Sequence, residues 1–238
     1  MKVDLQNRVA LVTGAARGIG QAIADLLADN GARVYYSDVD GAEVRRSAAR
    51  KAGSIAVDMD VCDEQQVQGV VDRIVGEQGH LDILINNAGV NTMQHRVPID
   101  QFPLDEWERI VRIDLTGLYI VSRIVAGTMR AQKWGRIVNI SSVVGLVPLR
   151  LQCAFAAAKA GVVNLTKVMA LDLGMDGITA NVVAPGSILP EGTKKLFYGD
   201  DGLFRQSVQQ LLAHVPPGRP GTVEEIAYAV LYLTAPEA

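Results

Sequence analysis

The chain has 238 residues, of which 49% are hydrophobic and only 5% are aromatic. Its formal net charge of −3 gives no broad basic field, which argues against nucleic acid or a membrane surface as a partner. The two cysteines have no metal-ligand spacing, and no apolar run reaches transmembrane length. The N-terminal segment is short and polar and lacks the apolar core of a secretory leader. We therefore expect a soluble, reduced, cytoplasmic protein.

Short apolar runs alternate with longer amphipathic stretches along the chain, which predicts alternating strands and helices. Runs rich in Val, Ile and Ala with few aromatic rings are typical of a parallel sheet that helices cover on both faces. The pattern predicts a single three-layer, doubly wound α/β domain with a mostly parallel sheet. The predicted strands are Val9–Thr13, Arg33–Ser37, Ser54–Val57, Asp82–Ile85, Arg136–Ile140 and Thr179–Val183. The predicted helices are Gly18–Asp29, Glu64–Gly76, Asp105–Arg130, Phe155–Leu173 and Val223–Leu233.

Two longer segments interrupt this alternation. Asn91–Phe102 is a polar loop, and Ser187–Pro220 is longer and includes a short predicted helix around Leu203–Ala213. Long segments after the carboxyl ends of strands often form binding loops, so we predict a substrate loop at about residues 187–220, the alternative being a surface excursion. The sequence ends at Ala238, directly after a helix. We expect either that a last edge strand is lacking or that the sequence omits a tail.

A glycine-rich turn, Thr13–Gly20, lies between the first predicted strand and the first predicted helix. Glycines allow a tight turn and a close backbone approach to a pyrophosphate, and the helix N-terminus supplies free N–H groups. The position of the turn within a strand–helix–strand unit predicts a dinucleotide site. The predicted contributors are Gly14, Arg17, Gly18, Ile19 and Gly20.

The choice of dinucleotide depends on Asp38, which follows the second predicted strand. A carboxylate at this position accepts hydrogen bonds from the ribose hydroxyls and repels a 2′-phosphate. Asp40 is an alternative for the same role, and Arg17 is a cation that would tolerate the phosphate of NADP. We predict NAD as the cofactor, with NADP as the weaker candidate.

Six motifs in chain order resemble those of the short-chain dehydrogenase/reductase family over essentially the whole length of the chain. They are Thr13–Gly20, Asp60-Val61, Asn86-Asn87-Ala88-Gly89, Asn139-Ile140-Ser141-Ser142, Phe155-Ala156-Ala157-Ala158-Lys159 and Pro185-Gly186. The resemblance implies a Rossmann-type fold and an NAD-binding oxidoreductase that acts on an alcohol or a ketone, in a homodimer or a homotetramer. It further implies that the adenine and nicotinamide ends of the cofactor are held by Asp60, Val61, Asn87, Ala88, Gly89, Lys159, Pro185, Gly186 and Ile188.

The same resemblance assigns the chemistry to four positions. Ser142 hydrogen-bonds the substrate oxygen, and position 155 holds the tyrosine that donates or takes the proton. Lys159 binds the nicotinamide ribose and lowers the pKa of that tyrosine. Position 114 holds an asparagine that binds a proton-relaying water. A polyol, a 3-oxoacyl thioester and a hydroxysteroid are all compatible substrates.

Two of the four positions depart from this pattern, since residue 155 is Phe and residue 114 is Asp. Phenylalanine has no hydroxyl and performs no acid–base chemistry, whereas a carboxylate still accepts from water or from an ammonium group. Phe155 is either an introduced substitution, or a native feature of an NAD-binding relative with little activity, or a residue whose role another group has taken. The candidates for that group are Tyr198, His95 and Cys153, and each of them is more simply an ordinary loop or surface residue.

Two further interpretations complete the predictions. The acidic residues Asp58, Asp60, Asp63 and Glu64 are explained by the adenine site and by capping of the next helix, so we predict no metal site. The alternative to an enzyme is a non-catalytic NAD-binding protein that senses the cofactor or acts as a scaffold. It predicts NAD binding without turnover.

Overall fold

The computed structural model describes residues 2–92, 95–188, 212 and 215–238, and six strands in these residues form one parallel sheet. The spatial order is β3-β2-β1-β4-β5-β6. The order reverses between β1 and β4, and the crevice at their carboxyl ends is where ligands bind in such sheets. The predicted fold class is confirmed. The strands are β1 Val9–Thr13, β2 Arg33–Asp38, β3 Ile55–Asp58, β4 Ile83–Asn86, β5 Gly135–Ile140 and β6 Ile178–Val183.

Helices cover both faces of the sheet and enclose two apolar cores. The helices are α1 Gly18–Asp29, α2 Gly41–Ala48, α3 Glu64–Gln78, α4 Leu104–Val111, α5 Leu118–Gln132, α6 Cys153–Leu173 and α7 Val223–Thr234. On one face, α1, α2 and α7 bury side chains such as Ile23, Leu27 and Val230. On the other face, α3, α5 and α6 bury Val71, Val125 and related side chains. The central strands β1, β4 and β5 are buried along their whole length, which explains why they are almost uniformly apolar.

The structure differs from the prediction in two helices. The sequence prediction missed α2, whose first turn is capped by the Asp40 carboxylate accepting from the Glu43 N–H at 3.2 Å. The predicted long helix Asp105–Arg130 is divided into α4 and α5 by a π-helical turn, Arg112–Gly117. Such turns often occur at functional sites, and this one contains Asp114. The remaining bounds differ by one or two residues, as at β3 and β4.

The segment after β6 is described only at its ends. Ile188 pairs with Gly221, and the Gly221 N–H donates to the Ser187 carbonyl at 2.9 Å, so the two ends lie side by side. The predicted helix Leu203–Ala213 and Tyr198 lie outside the described residues, apart from the single position 212.

Within the described part of the chain, one helical segment, Cys153–Asp176, is long and apolar enough to cross a membrane. This segment contains α6, whose inner face contacts β5 and β6 and buries Lys159. A core helix of a soluble protein meets the same criterion of length and composition, so the segment has a structural explanation within the sheet.

Candidate active site

The turn Thr13–Gly20 combines close packing with an open backbone surface. Gly14 has a φ of +64°, and a Cβ there would lie 2.8 Å from the Ala88 Cα. A Cβ on Gly20 would overlap the Gly14 carbonyl oxygen and the Asn87 amide. Gly18 has a φ of +61°, but the space in front of it is empty to at least 4 Å. The packing therefore requires glycine at 14 and 20, whereas the backbone conformation favours it at 18.

The first turn of α1 is suited to an anion. Arg17 precedes the helix with extended backbone, and no side chain in the described part of the chain caps the free N–H groups of α1. No acidic residue lies in the first turn either. By contrast, the N-termini of α2 and α3 are capped by Asp40 and Asp63. Free amides and the helix dipole fit a pyrophosphate at α1.

Thr13 and Asn87 join the carboxyl ends of β1 and β4. The Asn87 side-chain amide donates to the Thr13 and Gly14 carbonyls at 3.1 and 3.0 Å. The Thr13 hydroxyl accepts from the Asn87 and Ala88 N–H groups at 3.0 and 3.1 Å. These contacts fix the glycine turn to the strand that leads into Gly89, so the crevice has rigid walls.

A cleft of about 460 Å³ opens along this edge of the sheet. Its wall contains five predicted cofactor residues besides Gly14, namely Asp38, Asp60, Val61, Ala88 and Gly89. The sequence analysis missed the rest of the lining, because those residues belong to no motif. They are Val39, Met59, Cys62, Val90, Arg109, Arg112 and Ile113. The signal that could have identified two of them is the spacing of Arg109 and Arg112, because residues three apart place both cations on one face of a helix.

Asp38 and Asp40 have different surroundings at the end of β2. The half-buried Asp38 carboxylate accepts from the Ala16 and Asp40 N–H groups at 3.2 and 3.0 Å and lines the cleft. Asp40 caps α2 with one oxygen and holds the Arg17 guanidinium at 2.5 Å with the other. Asp40, the alternative to Asp38, is therefore engaged elsewhere, and the charge of Arg17 is paired.

Lys159 and Asp114 form a buried ion pair at the inner end of the cleft. The Lys159 ammonium lies 3.0 Å from Asp114 Oδ2 and donates to the Ile140 carbonyl at 3.2 Å. Asp114 is fully buried, and its Oδ1 accepts from the Val90 N–H at 2.7 Å. Burial raises the pKa of the Asp114 carboxyl, although Lys159 and the Val90 N–H act to lower it. The carboxylate thus contacts the lysine directly.

Gly89 separates this ion pair from the cleft. A Cβ at this position would lie 2.9 Å from Asp114 Oδ2 and 3.2 Å from Lys159 Nζ. Both contacts are shorter than ordinary packing distances, so a side chain there would displace the pair. The backbone of Gly89 forms part of the cleft wall, so the absence of a side chain brings the ion pair next to the ligand space.

Ser142 and Phe155 complete the cluster at the ends of β5 and β6. The half-buried Ser142 hydroxyl accepts from the Val144 N–H at 3.3 Å and lies 3.5 Å from the Pro185 carbonyl. Phe155 is one helical turn before Lys159, and its ring centroid lies 5.6 Å from the lysine Nζ. The ring therefore occupies the expected position beside Lys159 but carries no hydroxyl. The cluster thus contains a hydroxyl at Ser142 and an ammonium at Lys159, but residue 155 has no proton to donate.

Of the other candidate proton donors, the structure describes Cys153 and His95, and neither is hydrogen-bonded to this cluster. Cys153 is the half-buried first residue of α6. The His95 backbone N–H donates to the Thr92 hydroxyl at 3.0 Å, and no described residue is hydrogen-bonded to its Nδ1. Tyr198 lies outside the described residues.

The acidic residues near β3 have separate partners. Asp63 caps α3 by accepting from the Gln65 and Gln66 N–H groups, as predicted. Asp58 pairs with Arg45, whereas Glu64 pairs with Arg123 on α5 and not with its own helix end. Among the residues that the structure describes, no three His, Cys, Asp or Glu side chains form a group that could hold a metal ion.

Comparisons with known proteins agree with this geometry. The family model described as short chain dehydrogenase matches residues 8–200. The 3-oxoacyl-[acyl-carrier-protein] reductase FabG of Vibrio cholerae serotype O1 is 38% identical over 238 residues, 99% of this chain and 93% of that protein. The cis-4-hydroxycyclohexanecarboxylate dehydrogenase of Sinomonas cyclohexanicum is 39% identical over 239 residues, 98% and 91% of the two chains. The structure of NAD+-bound xylitol dehydrogenase superposes with a TM-score of 0.88 at 31% identity and covers 98% and 94% of the two chains. The chain belongs to the short-chain dehydrogenase/reductase family and is an oxidoreductase of that family.

Proposed function

We propose that this protein binds NAD(H) and interconverts an alcohol and a ketone at a low rate, limited by the missing hydroxyl at position 155. The nicotinamide group, when bound, supplies or accepts the hydride. The observation that carries the proposal is the position of the Phe155 ring beside Lys159, with Ser142 at the end of the adjacent strand. A positioned general acid contributes about 10²- to 10⁴-fold to the rate, and that contribution is absent here.

The cofactor would lie along the carboxyl edge of the sheet. Gly14, Gly18, Ile19 and Gly20 would hold the pyrophosphate, and Asp60 and Val61 would enclose the adenine. Asn87, Ala88 and Gly89 would form the wall, with Pro185, Gly186 and Ile188 over the nicotinamide. The open space in front of Gly18 and the uncapped end of α1 support this arrangement.

The preference for NAD over NADP rests on Asp38. Its carboxylate lines the cleft at the end of β2 and would accept from the adenosine ribose hydroxyls. A 2′-phosphate would meet that negative charge. Arg17, the cation that would compensate, is paired with Asp40.

The remaining residues would divide the chemistry between them. Ser142 would hydrogen-bond the substrate oxygen, and Lys159 would orient the nicotinamide ribose. With Phe at 155, the proton on the substrate oxygen would exchange with solvent, which is the slow step. Asp114 would act on Lys159 directly, in view of the 3.0 Å contact.

The substrate would carry an apolar group next to the reacting carbon. The segment that follows Ser142 exposes Leu146, Val147 and Leu149 to solvent. Of the relatives above, one is named for a 3-oxoacyl group and one for a hydroxycyclohexanecarboxylate. Both have hydrocarbon next to the reacting oxygen, and these exposed side chains favour them over a polyol such as xylitol.

The protein would be cytoplasmic and form homodimers or homotetramers through α5 and α6. Tyr119, Val168 and Leu171 expose large apolar surfaces on these helices. A shallow cavity of about 420 Å³ lies between the two helices. Light scattering of the purified protein would test this assembly.

The decisive experiment is the Phe155→Tyr variant, assayed for NADH formation or consumption with hydroxyacyl, alicyclic, steroid and polyol substrates. We expect turnover at least tenfold above the parent, because a phenol would stand beside Lys159. Met175→Tyr, which adds a phenol at an almost fully exposed position beyond the C-terminal end of α6, is the control and should keep the parent rate. Saturable NAD binding without turnover in either form would instead favour the non-catalytic sensor or scaffold.

A further inference from the structure

Both departures from the family pattern contact the same lysine. Lys159 is only 5% exposed, and its ammonium has three neighbours among the described residues. These are the Asp114 carboxylate at 3.0 Å, the Ile140 carbonyl at 3.2 Å and the Phe155 ring at 5.6 Å. The two changed residues therefore alter the surroundings of one charge from two sides.

The burial of Lys159 requires a partner for its charge. An ammonium that loses its counter-charge in a protein interior destabilises the fold strongly. A phenylalanine ring offers only a weak cation–π contact at this distance. With no hydroxyl at 155, a neutral asparagine at 114 would leave the ammonium without a negative neighbour. The Asp114 carboxylate supplies that neighbour.

Asp114 is itself fixed by its backbone surroundings. It lies in the π-helical turn, and its Oδ1 accepts from the Val90 N–H at 2.7 Å. This leaves Oδ2 for Lys159, and Gly89 provides the room for both groups. Two other titratable groups act near Asp114, namely Arg109 on α4 and Cys62 beside the cleft, and neither replaces Lys159 as its partner.

We infer that Asp114 is a positioning residue that serves as the counter-ion of Lys159 beside a ring that offers the ammonium no oxygen, so that the pair presents no net charge to position 155. In this arrangement Lys159 still orients the ribose, but it no longer activates a phenol. A tyrosine restored at 155 supplies an acid by itself, but it reaches its full efficiency only when Asp114 is also changed to the neutral, isosteric asparagine. The kinetic part of this inference rests on the proposed function, whereas the electrostatic part does not.

The test compares the phenol of Phe155→Tyr with that of Phe155→Tyr/Asp114→Asn in the protein without cofactor. Phenolate absorbance is followed against pH, and the titrations of the Phe155 parent and of Asp114→Asn are subtracted to isolate residue 155. We expect the pKa of the new tyrosine to be lower in the double variant by about one unit or more, because a single opposite charge then faces it. Equal values, or a lower value in the single variant, would overturn the inference.

Turnover provides the second measurement. We expect the double variant to exceed Phe155→Tyr by about tenfold near neutral pH, with its pH–rate profile displaced to lower pH. Phe155→Tyr/Asp176→Asn, which removes a carboxylate beyond the C-terminal end of α6, should match Phe155→Tyr. If neither tyrosine variant turns over any substrate, the proposed function fails while the phenolate titration still decides the role of Asp114. Asp114→Ser serves in the same comparison if the asparagine variant does not fold.

Discussion

The two halves of the carboxyl edge of the sheet differ in whether backbone conformation or side-chain chemistry forms the site. The nucleotide half, from β1 to β3, depends mainly on backbone conformation at Gly14, Gly18 and Gly20, together with the carboxylates of Asp38 and Asp60. The catalytic half, at β5, β6 and α6, depends on the side-chain chemistry of a few positions. The first half has every feature that the sequence pattern requires, whereas the second half lacks the hydroxyl at Phe155.

This difference separates binding from catalysis within one protein. The shape of the nucleotide half depends on packing between the turn and β4, and a change at residue 155 leaves those contacts intact. In the proposed catalytic half, the absence of one oxygen atom at residue 155 removes the acid, while the fold around it is kept. NAD affinity and turnover should therefore respond to different substitutions, and three further predictions test this separation.

The largest of these three effects is expected at Gly20 in the nucleotide half. Gly20→Ala places a Cβ on the Gly14 carbonyl and the Asn87 amide. Overpacking of this kind displaces the backbone and costs about 1–3 kcal/mol, roughly a ten- to hundredfold loss of NAD affinity. Titration of NAD by fluorescence would measure it. Gly127→Ala on α5 has no atom within 4 Å of the new Cβ and should bind NAD as the parent does.

The second effect concerns the choice of cofactor. Asp38→Asn removes the charge that faces the ribose, and we expect the ratio of NAD to NADP affinity to fall about tenfold, the value of one charge-assisted hydrogen bond. Asp40→Asn is the companion variant, since it releases Arg17 and should change the ratio less. Isothermal titration with both dinucleotides would measure the ratios. A larger change of the ratio in Asp40→Asn than in Asp38→Asn would show that the Arg17–Asp40 pair, and not Asp38, determines the preference for NAD.

The smallest effect is a pH dependence in the catalytic half. Burial raises the folded-state pKa of Asp114, so from about pH 4 up to that pKa the folded protein binds more protons than the unfolded chain. The free energy of unfolding of the parent, relative to Asp114→Asn, should therefore fall as the pH rises through this window. Urea unfolding of both proteins at several pH values would measure it. If the free energy of unfolding of the parent, relative to Asp114→Asn, rose with pH instead, the raised pKa of Asp114 would be contradicted.

The sequence predicted the parts of the fold that follow from burial. β1 was predicted with its observed bounds, because five consecutive apolar or small residues are buried on both faces. α2 was missed since it is only eight residues long and buries little beyond Val44. The π-helical turn at Arg112–Gly117 was missed too, because one inserted residue hardly disturbs the apolar period of a long helix.

The candidate site was predictable in its residues but not in its contacts. Sequence motifs identified Asp114 and Lys159 separately, but the direct 3.0 Å contact follows from the packing of the π-helical turn against α6. Similarly, Arg17 and Asp40 are adjacent only because α2 begins where it does. Pairings between distant segments depend on tertiary structure, and local sequence patterns do not predict them.

The contact between Ile188 and Gly221 has a consequence for the evolution of this protein. Because the two ends of the intervening segment are held side by side, its length can change without moving β6 or α7. A doubling of loop length adds only about 0.6 kcal/mol of closure entropy. Variation in length between Ile188 and Gly221 is therefore compatible with an unchanged sheet and an unchanged nucleotide edge.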